Sequence, residues 1–154
     1  MQIRAVKDDL FHYEKEYALV HCISADFRLG AGIAKEFDRR YNMRQRLAAL
    51  YPTVYTEYYN SPLHGDTGYA LYVNTGETKV INLVTKFRYF QKPTYASIEN
   101  ALIEAKKVAI KENIKKIAMP LIGCGLDKLE WKFVVEIIKE VFADADVDIL
   151  VCEL

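Results

Sequence analysis

A nearly continuous apolar run at residues 17–23 limits the possible folds of this chain more than any other segment. A strand that is apolar at almost every position is buried on both faces, which is typical of the centre of a parallel sheet. A shorter run of the same kind at residues 117–121 predicts a second buried strand. Because a parallel sheet has helices packed on its faces, the two runs indicate an α/β protein.

The rest of the chain alternates between strand-like and helix-like patterns. Alternation, or enrichment in aromatic and β-branched residues, predicts strands at residues 1–6, 54–60, 68–74, 79–85 and 147–152. Helical spacing of apolar residues predicts helices at residues 31–41, 43–50, from Thr94 to near 113, and 131–142. Strands alternate with helices at both ends of the chain, and a run of strands lies in the middle. This order indicates a three-layer α/β/α domain with a mixed central sheet that spans residues 1–154.

Composition excludes several classes of protein. The 21 basic residues are balanced by 21 acidic ones, so the net charge does not favour a nucleic-acid or membrane partner. The cysteines Cys22, Cys124 and Cys152 form no C-x-x-C motif, which predicts reduced thiols and no zinc site. No apolar run approaches the ~18 residues of a membrane span, and no signal peptide is evident. We therefore expect a soluble monomer in the cytoplasm, or in the nucleus of a eukaryote.

Two glycine-rich loops each follow a predicted buried strand and precede a predicted helix. The first contains Gly30 and Gly32, and the second contains Gly123 and Gly125. Backbone N–H groups in such loops and at helix N-termini bind phosphate. If the two strands are neighbours in the sheet, two helix N-termini face one crevice, an arrangement that suits a diphosphate. Close backbone packing at the start of a helix is an equally good interpretation of the first loop.

An acidic residue, Asp127, follows the second loop, although a loop that only held phosphate would have no use for it. Asp127 and Glu130 have the spacing of a capping box, with Leu126 placed to pack on Trp131, so a helix cap is one interpretation. A catalytic acid/base is the other. Lys86 comes directly after the predicted strand at 79–85, at the carboxyl edge of the sheet, where α/β active sites are found. A desolvated lysine there can act as a nucleophile, although most lysines at such positions are simply solvated.

The remaining polar features are expected to be structural. His21 lies within the apolar run and is expected to be a core histidine, whereas His64 lies in a loop and should be exposed. Neither has a partner at metal-ligand or catalytic-triad spacing, so we predict no metal and no serine- or cysteine-histidine mechanism. A basic cluster on the first helices is expected to be a solvated face rather than a nucleic-acid patch. Its members are Lys35, Arg39, Arg40, Arg44 and Arg46.

Several motifs resemble the macrodomain family and, more narrowly, its terminal ADP-ribose protein glycohydrolase branch. The motifs are His21-Cys22-Ile23-Ser24, Arg28-x-Gly30-Ala31-Gly32-Ile33-Ala34, Thr85-Lys86, Lys92-Pro93-Thr94-Tyr95 and a block from Met119 to Trp131. The resemblance spans nearly the whole chain. Its most specific parts are the Gly-Cys-Gly-Leu-Asp sequence at 123–127 and the strand-ending Thr-Lys pair.

The resemblance implies a site for ADP-ribose and requires no cofactor. It implies that the diphosphate lies between the two glycine-rich loops, with adenine near Asp9 and the distal ribose near Ser24. The implied ligand-binding residues are Asp9, Leu10, Ser24, Arg28, Gly30, Ala31, Gly32, Ile33, Ile122, Gly123, Cys124, Gly125, Leu126 and Leu154. It also implies that Lys86 attacks the anomeric carbon to form a lysyl–ADP-ribose adduct, and that Asp127 assists release and resolves the adduct.

The implied activity is hydrolysis of ADP-ribose from acidic side chains of proteins, or from a small ester such as O-acetyl-ADP-ribose. Several alternatives remain open. They are a non-catalytic ADP-ribose reader, a phosphatase acting on ADP-ribose 1″-phosphate, and a nucleic-acid partner that contacts the basic cluster. Removal of ADP-ribose from a nucleic-acid base is a further possibility. Residues 22–27 contain no asparagine, which argues against the asparagine-organised mechanism of other macrodomain branches.

Overall fold

The computed structural model describes the whole chain, Met1–Leu154, and contains one six-stranded sheet. The strands are β1 (Gln2–Lys7), β2 (Ala18–Ser24), β3 (Tyr69–Asn74), β4 (Lys79–Lys86), β5 (Lys116–Met119) and β6 (Asp148–Glu153). Their order in the sheet is β1-β6-β5-β2-β4-β3. Every pair is parallel except the edge pair β3–β4. The predicted mixed sheet is therefore confirmed, with β2 near its centre.

Helices cover both faces of the sheet and complete three layers. They are α1 (Gly32–Tyr41), α2 (Met43–Leu50), α3 (Val54–Tyr59), α4 (Tyr95–Lys111) and α5 (Trp131–Val141). Short 3₁₀ turns lie at Leu10–Tyr13 and His64–Asp66. One apolar core packs α1, α2 and α3 against the sheet, and a second packs α4 and α5 against the opposite face. None of the helices has the length and apolarity needed to cross a membrane.

Strand β2 shows why its apolar run has no polar face. Leu19 and Ile23 pack into the core beneath α1, while Ala18 and Val20 pack into the core beneath α4 and α5. Successive side chains of a strand point to opposite faces, so a strand between two helical layers needs apolar residues at nearly every position. This confirms the prediction of a central strand.

Helix α4 begins where the sequence predicts it. The Thr94 hydroxyl accepts a hydrogen bond from Ser97 N at 2.9 Å, and Thr94 N donates to the Ser97 hydroxyl at 3.0 Å. This reciprocal cap satisfies two N–H groups that have no partner within the helix. The same turn lies against the start of β3, because a Cβ on Gly68 would come within 2.3 Å of Ser97 O.

The strand predicted at residues 54–60 is wrong, because these residues form α3. Val54 and Tyr58 are buried on one face of the helix, whereas Tyr59 is 70% exposed. The rings of Tyr55 and Tyr58 stack on Phe87, with centroids 4.6 and 5.8 Å away. Aromatic and β-branched composition favours a strand only weakly, and here packing against neighbouring rings decides for a helix.

Candidate active site

A cleft of about 1110 Å³ opens at the carboxyl edge of the parallel strands. Strands β2, β4, β5 and β6 all end there, and the loops that follow them form its walls. Ligands bind in such crevices of open α/β sheets because loops and helix N-termini converge at this edge. Every residue predicted to bind or act on a ligand lines the cleft. They are Asp9, Leu10, Ser24, Arg28, Gly30, Ala31, Gly32, Ile33, Lys86, Ile122, Gly123, Cys124, Gly125, Leu126, Asp127 and Leu154.

The two glycine-rich loops face each other across this cleft, because their strands β2 and β5 are hydrogen-bonded neighbours. Gly32 and Gly123 have positive φ angles of 60° and 74°, a conformation that favours glycine. Leu126 of the second loop reaches the first, since a Cβ on Gly32 would lie 3.6 Å from Leu126 Cδ1. The loops thus form two opposed backbone walls of a narrow site.

Only one helix N-terminus contributes to the cleft. Helix α1 begins at Gly32, its Ala31 cap offers no side-chain bond, and its first turn holds no acidic residue. Its first N–H groups are therefore open to an anion. Helix α5 begins at Trp131, beyond the last residue of its loop that lines the cleft, Lys128. The expectation that two helix N-termini face the crevice is wrong, because the second loop turns away before its helix starts.

Asp127 is not a helix cap. The N-cap of α5 is Glu130, which makes no side-chain cap bond, and two loop hydrogen bonds fold the chain before the helix begins. Leu126 lies over Gly32 rather than stapling onto Trp131. The capping-box interpretation is therefore wrong, because the spacing of the motif does not show where α5 starts.

The carboxylate of Asp127 instead forms an ion pair with Lys86. Lys86 Nζ donates to Asp127 Oδ1 at 2.7 Å, and both side chains are only 15% exposed. No other ion pair in the protein has both partners so buried. Lys86 is the last residue of β4 and pairs in register with Ser24 at the end of β2. A partly buried amine and a carboxylate in contact can exchange a proton, so the pair can supply both a nucleophile and an acid/base.

The opposite end of the cleft is built on the 3₁₀ turn after β1. Asp9 caps this turn by accepting from Phe11 N at 2.9 Å. The Asp8 carboxylate accepts from Tyr13 Oη at 2.8 Å and lies 2.7 Å from His12 Nδ1. The hydrogen bond from Tyr13 is the main cause of the lowered pKa of Asp8. These bonds hold the turn against the Arg40 guanidinium, which lies 4.3 Å above the Phe11 ring.

Sequence reasoning gave no site role to Tyr89, Phe90 or Lys92, which follow Lys86 in the chain and line the cleft. Tyr89 and Phe90 are exposed aromatic residues, and the Arg28 guanidinium lies 4.3 Å from the centre of the Tyr89 ring. Lys92 Nζ donates to Leu126 O at 2.7 Å and ties this segment to the second loop. These residues follow β4 without any periodic pattern, so only their position after a strand end at the site could have indicated them.

The cysteines that border the cleft are not activated nucleophiles. Burial is the main cause that raises the pKa of the Cys22 thiol to about 12, and it raises the pKa of Cys152 to about 11. Burial likewise raises the pKa of Cys124. A thiol must ionise to attack, so these shifts argue against a cysteine mechanism.

His21 and His64 lie where the sequence predicts them, in the core and at the surface respectively. His21 is fully buried, its Nε2 lies 2.6 Å from Asn82 Oδ1, and its ring stacks on Phe37. Burial is the main cause that lowers the pKa of His21 to about 4, so the ring is neutral at pH 7. His64 is exposed. In the basic cluster, Arg39 and Arg40 are exposed and pair with the neighbouring Glu36.

The distribution of possible ligand atoms gives no support for a metal site. No group of three or more histidine, cysteine, aspartate or glutamate residues is arranged to hold a metal ion. The acidic residues near the cleft are used in other ways, because Asp127 pairs with Lys86 and Asp9 caps a turn. The chemistry that the site can perform with its own residues is nucleophilic and acid–base.

Comparison with known proteins places the chain among proteins of one fold. Residues 20–138 match the family model described as Macro domain. The chain is 35% identical over 153 residues to the ADP-ribose glycohydrolase OARD1 of Homo sapiens, covering 99% of this chain and 92% of that protein. It is 29% identical to the DNA ADP-ribosyl glycohydrolase of Mycobacterium tuberculosis, covering 93% of this chain but only 40% of that protein.

Solved structures give the same result. The macrodomain of Mycobacterium tuberculosis DarG superposes with a TM-score of 0.81 at 26% identity, covering 99% of this chain and 98% of that one. Thermosipho africanus DarTG in complex with ADP-ribose superposes with a TM-score of 0.75 at 18% identity, covering 99% of this chain and 42% of that one. At that identity the second likeness is evidence of the fold alone.

Proposed function

This chain belongs to the Macro domain family, and from that premise we propose that it is a hydrolase that removes ADP-ribose from acidic side chains. A small ester such as O-acetyl-ADP-ribose is a substrate of the same chemistry. The observation that carries the proposal is the partly buried ion pair of Lys86 with Asp127, which faces the cleft beside two glycine-rich loops. The relative OARD1, named an ADP-ribose glycohydrolase, supports the reaction class.

The shape and polarity of the cleft support ADP-ribose as the ligand. The diphosphate would lie between the loops at Gly32 and Gly123, where the N–H groups of α1 stabilise its charge. The adenosine would extend toward Asp9 and Leu10, and the distal ribose toward Ser24 and Lys86. These positions lie along one continuous cleft, so a single extended ligand can contact all of them.

The proposed reaction has two displacements at the anomeric carbon. First, Asp127 takes a proton from Lys86, and the free amine attacks the anomeric carbon. The bond to the ester oxygen breaks, Asp127 passes the proton to that oxygen, and the acidic side chain leaves as a carboxylic acid. Second, a water molecule attacks the same carbon. Asp127 takes the proton of this water and passes it to the amine of Lys86, and the carbon–nitrogen bond breaks to return Lys86 and release ADP-ribose. The sum is one ester and one water converted to one acid and one ADP-ribose.

A nucleic-acid base is a second candidate carrier of the ADP-ribose. The relative from Mycobacterium tuberculosis is named a DNA ADP-ribosyl glycohydrolase. In this chain the exposed rings of Tyr89 and Phe90 lie at the cleft next to Arg28 and Lys92. Aromatic rings that stack on bases, beside cations that contact phosphates, are typical of single-strand binding. The same two-step displacement would then act at a bond to a base.

The test is release of ADP-ribose from a glutamate-linked ADP-ribosylated peptide, followed by chromatography. We expect Lys86→Ala to lower the release rate by about 100-fold or more, because the nucleophile is lost. Lys79→Ala is the matched control, since Lys79 is an exposed lysine at the opposite end of the same strand. Unchanged release by Lys86→Ala would contradict the assignment of the nucleophile.

Two further measurements separate the alternatives. The first measurement is the intact mass of Asp127→Ala after mixing with substrate. This mass should increase by that of the attached ADP-ribose if the second step is blocked. Tight binding of ADP-ribose without turnover by the unaltered protein would favour a reader. Phosphate release from ADP-ribose 1″-phosphate would favour the phosphatase. Faster release from an ADP-ribosylated oligonucleotide than from the peptide would favour the nucleic-acid carrier.

A further inference from the structure

The carboxylate of Asp26 lies behind the cleft wall and has no part in the proposed chemistry. It does not line the cleft. Its hydrogen bonds all go to residues that do line the cleft, namely Ser24, Arg28 and Tyr89. The three partner groups are one O–H and two backbone N–H groups, so the carboxylate binds them through directional hydrogen bonds rather than a salt bridge.

The first of these bonds fixes the role of the Ser24 hydroxyl. Ser24 Oγ donates to Asp26 Oδ1 at 2.5 Å. An ionised carboxylate can only accept, and a serine hydroxyl has only one proton to give. The proton of Ser24 is therefore committed to Asp26, and the oxygen can offer only lone pairs to the cleft. It is an acceptor for a hydroxyl group of a ligand.

The other two bonds join the walls of the cleft at this end. Asp26 Oδ1 also accepts from Arg28 N at 3.2 Å, and Asp26 Oδ2 accepts from Tyr89 N at 2.9 Å. The Arg28 guanidinium in turn lies 4.3 Å from the centre of the Tyr89 ring. One carboxylate thus holds together the loop after β2 and the loop after β4.

The backbone around Arg28 needs such a restraint. Phe27 and Leu29 have positive φ angles of 52° and 44°, which cost energy for residues other than glycine. Strained backbone of this kind persists only where the surroundings fix it. The bond from Arg28 N to Asp26 lies between the two strained residues and supplies part of that restraint.

We propose that Asp26 is a positioning residue that makes the cleft select ligands carrying a distal ribose. It does so by presenting Ser24 as an acceptor for a ribose hydroxyl, while its bonds from Arg28 N and Tyr89 N hold the carboxylate in place beside Ser24. The inference rests on the proposed function, since it assumes that ADP-ribose occupies the cleft. ADP, which ends at its second phosphate, has no group to meet Ser24.

The test compares calorimetric titrations of ADP-ribose and of ADP. The unaltered protein should bind ADP-ribose more tightly than ADP. Asp26→Ala should lower the affinity ratio of ADP-ribose to ADP by about 10-fold, with the affinity for ADP nearly unchanged. Asp38→Ala is the matched control, because Asp38 also accepts from a backbone N–H, that of Arg44 at 2.9 Å, but Arg44 does not line the cleft.

Two more variants separate positioning from general support of the loop. Ser24→Ala should lower the ratio as much as Asp26→Ala, and the double variant should lower it no further, because both act through one contact. Asp26→Asn is the variant of similar size, and its single acceptor oxygen can satisfy only part of the three bonds. Asp26→Asn should give an intermediate affinity ratio of ADP-ribose to ADP. If the alanine variant does not fold, the comparison is made with Asp26→Asn instead.

Three outcomes would overturn the inference: an unchanged ratio in Asp26→Ala, equal loss of both ligands, or additive losses in the double variant. Thermal unfolding of each variant measures the structural cost separately. The test requires binding and no turnover. An unaltered protein that selects ADP-ribose but releases none from the glutamate ester would refute the proposed hydrolysis and leave the role of Asp26 in place.

Discussion

Mild acid should destabilise this protein through His21. The ring is fully buried, and burial lowers its pKa from 6.5 to about 4. In the unfolded chain the same ring titrates near its ordinary value. As the pH falls below about 6.5 the unfolded state binds a proton that the folded state does not, so the free energy of unfolding decreases. Above pH 6.5 both states are neutral at this residue and the effect vanishes.

The magnitude follows from the two pKa values. Between pH 7.5 and pH 5.0, linkage gives a loss of about 2 kcal/mol in the free energy of unfolding. Below a pH of about 4 both states are protonated at His21 and its contribution levels off. The lowered pKa values of Asp8, Glu36 and Asp144 matter only at more acidic pH. Their carboxylates stay ionised in the folded protein across the window, so His21 dominates the slope there.

The assay is urea unfolding at several pH values between 5.0 and 7.5. His21→Phe is the test variant, because it keeps a ring beside Phe37 but cannot titrate. It should be less stable overall, since Asn82 Oδ1 loses its partner, yet its stability should not fall toward pH 5.0. His64→Ala, which removes an exposed histidine, should keep the slope of the unaltered protein. An equal slope in His21→Phe and the unaltered protein would refute the reasoning.

Three further predictions concern backbone and thiols. Gly68→Ala should lower the free energy of unfolding in urea by about 3 kcal/mol, because the added Cβ would lie 2.3 Å from the backbone of α4. Gly65→Ala is the control, because a Cβ at Gly65 would meet no atom within 4 Å. Gly123→Ala should weaken ADP-ribose binding in a calorimetric titration, since its φ of 74° is strained for alanine, whereas Gly76→Ala, with a similarly strained φ of 89° but outside the cleft, should bind normally. Cys22, with its raised pKa, should react with iodoacetamide at pH 8 only after unfolding, and labelling of the folded protein would contradict this.

Burial patterns made much of the fold predictable. Strand β2 and helix α4 can be predicted because each has its own signal in the sequence. The signal is an apolar run for β2 and a local cap at Thr94 for α4. The order of the strands cannot be predicted from the sequence, because register and pairing depend on contacts between residues far apart in the chain. Helix α3 was predicted as a strand because its composition favours a strand, while its burial against Phe87 is a tertiary effect.

The site was predictable in its parts rather than in its arrangement. Lys86 and Asp127 are 41 residues apart, and no local pattern shows that they touch. The capping box at Asp127 was a false signal because its spacing fits a helix that in fact starts later, at Trp131. Asp26 was missed because it acts only through neighbours. The roles in ligand binding and catalysis stay predictions, which the experiments above test.

The contact of Leu126 with Gly32 has a kinetic consequence. The Leu126 side chain spans the gap between the two loops in which the diphosphate is proposed to lie, so a ligand in that gap would pass close to Leu126 on its way in and out. The Leu126 side chain is 65% exposed, so the contact buries little apolar surface and is weak. Leu126 should therefore affect the dissociation rate of a bound product more than it stabilises the arrangement of the two loops in the empty site.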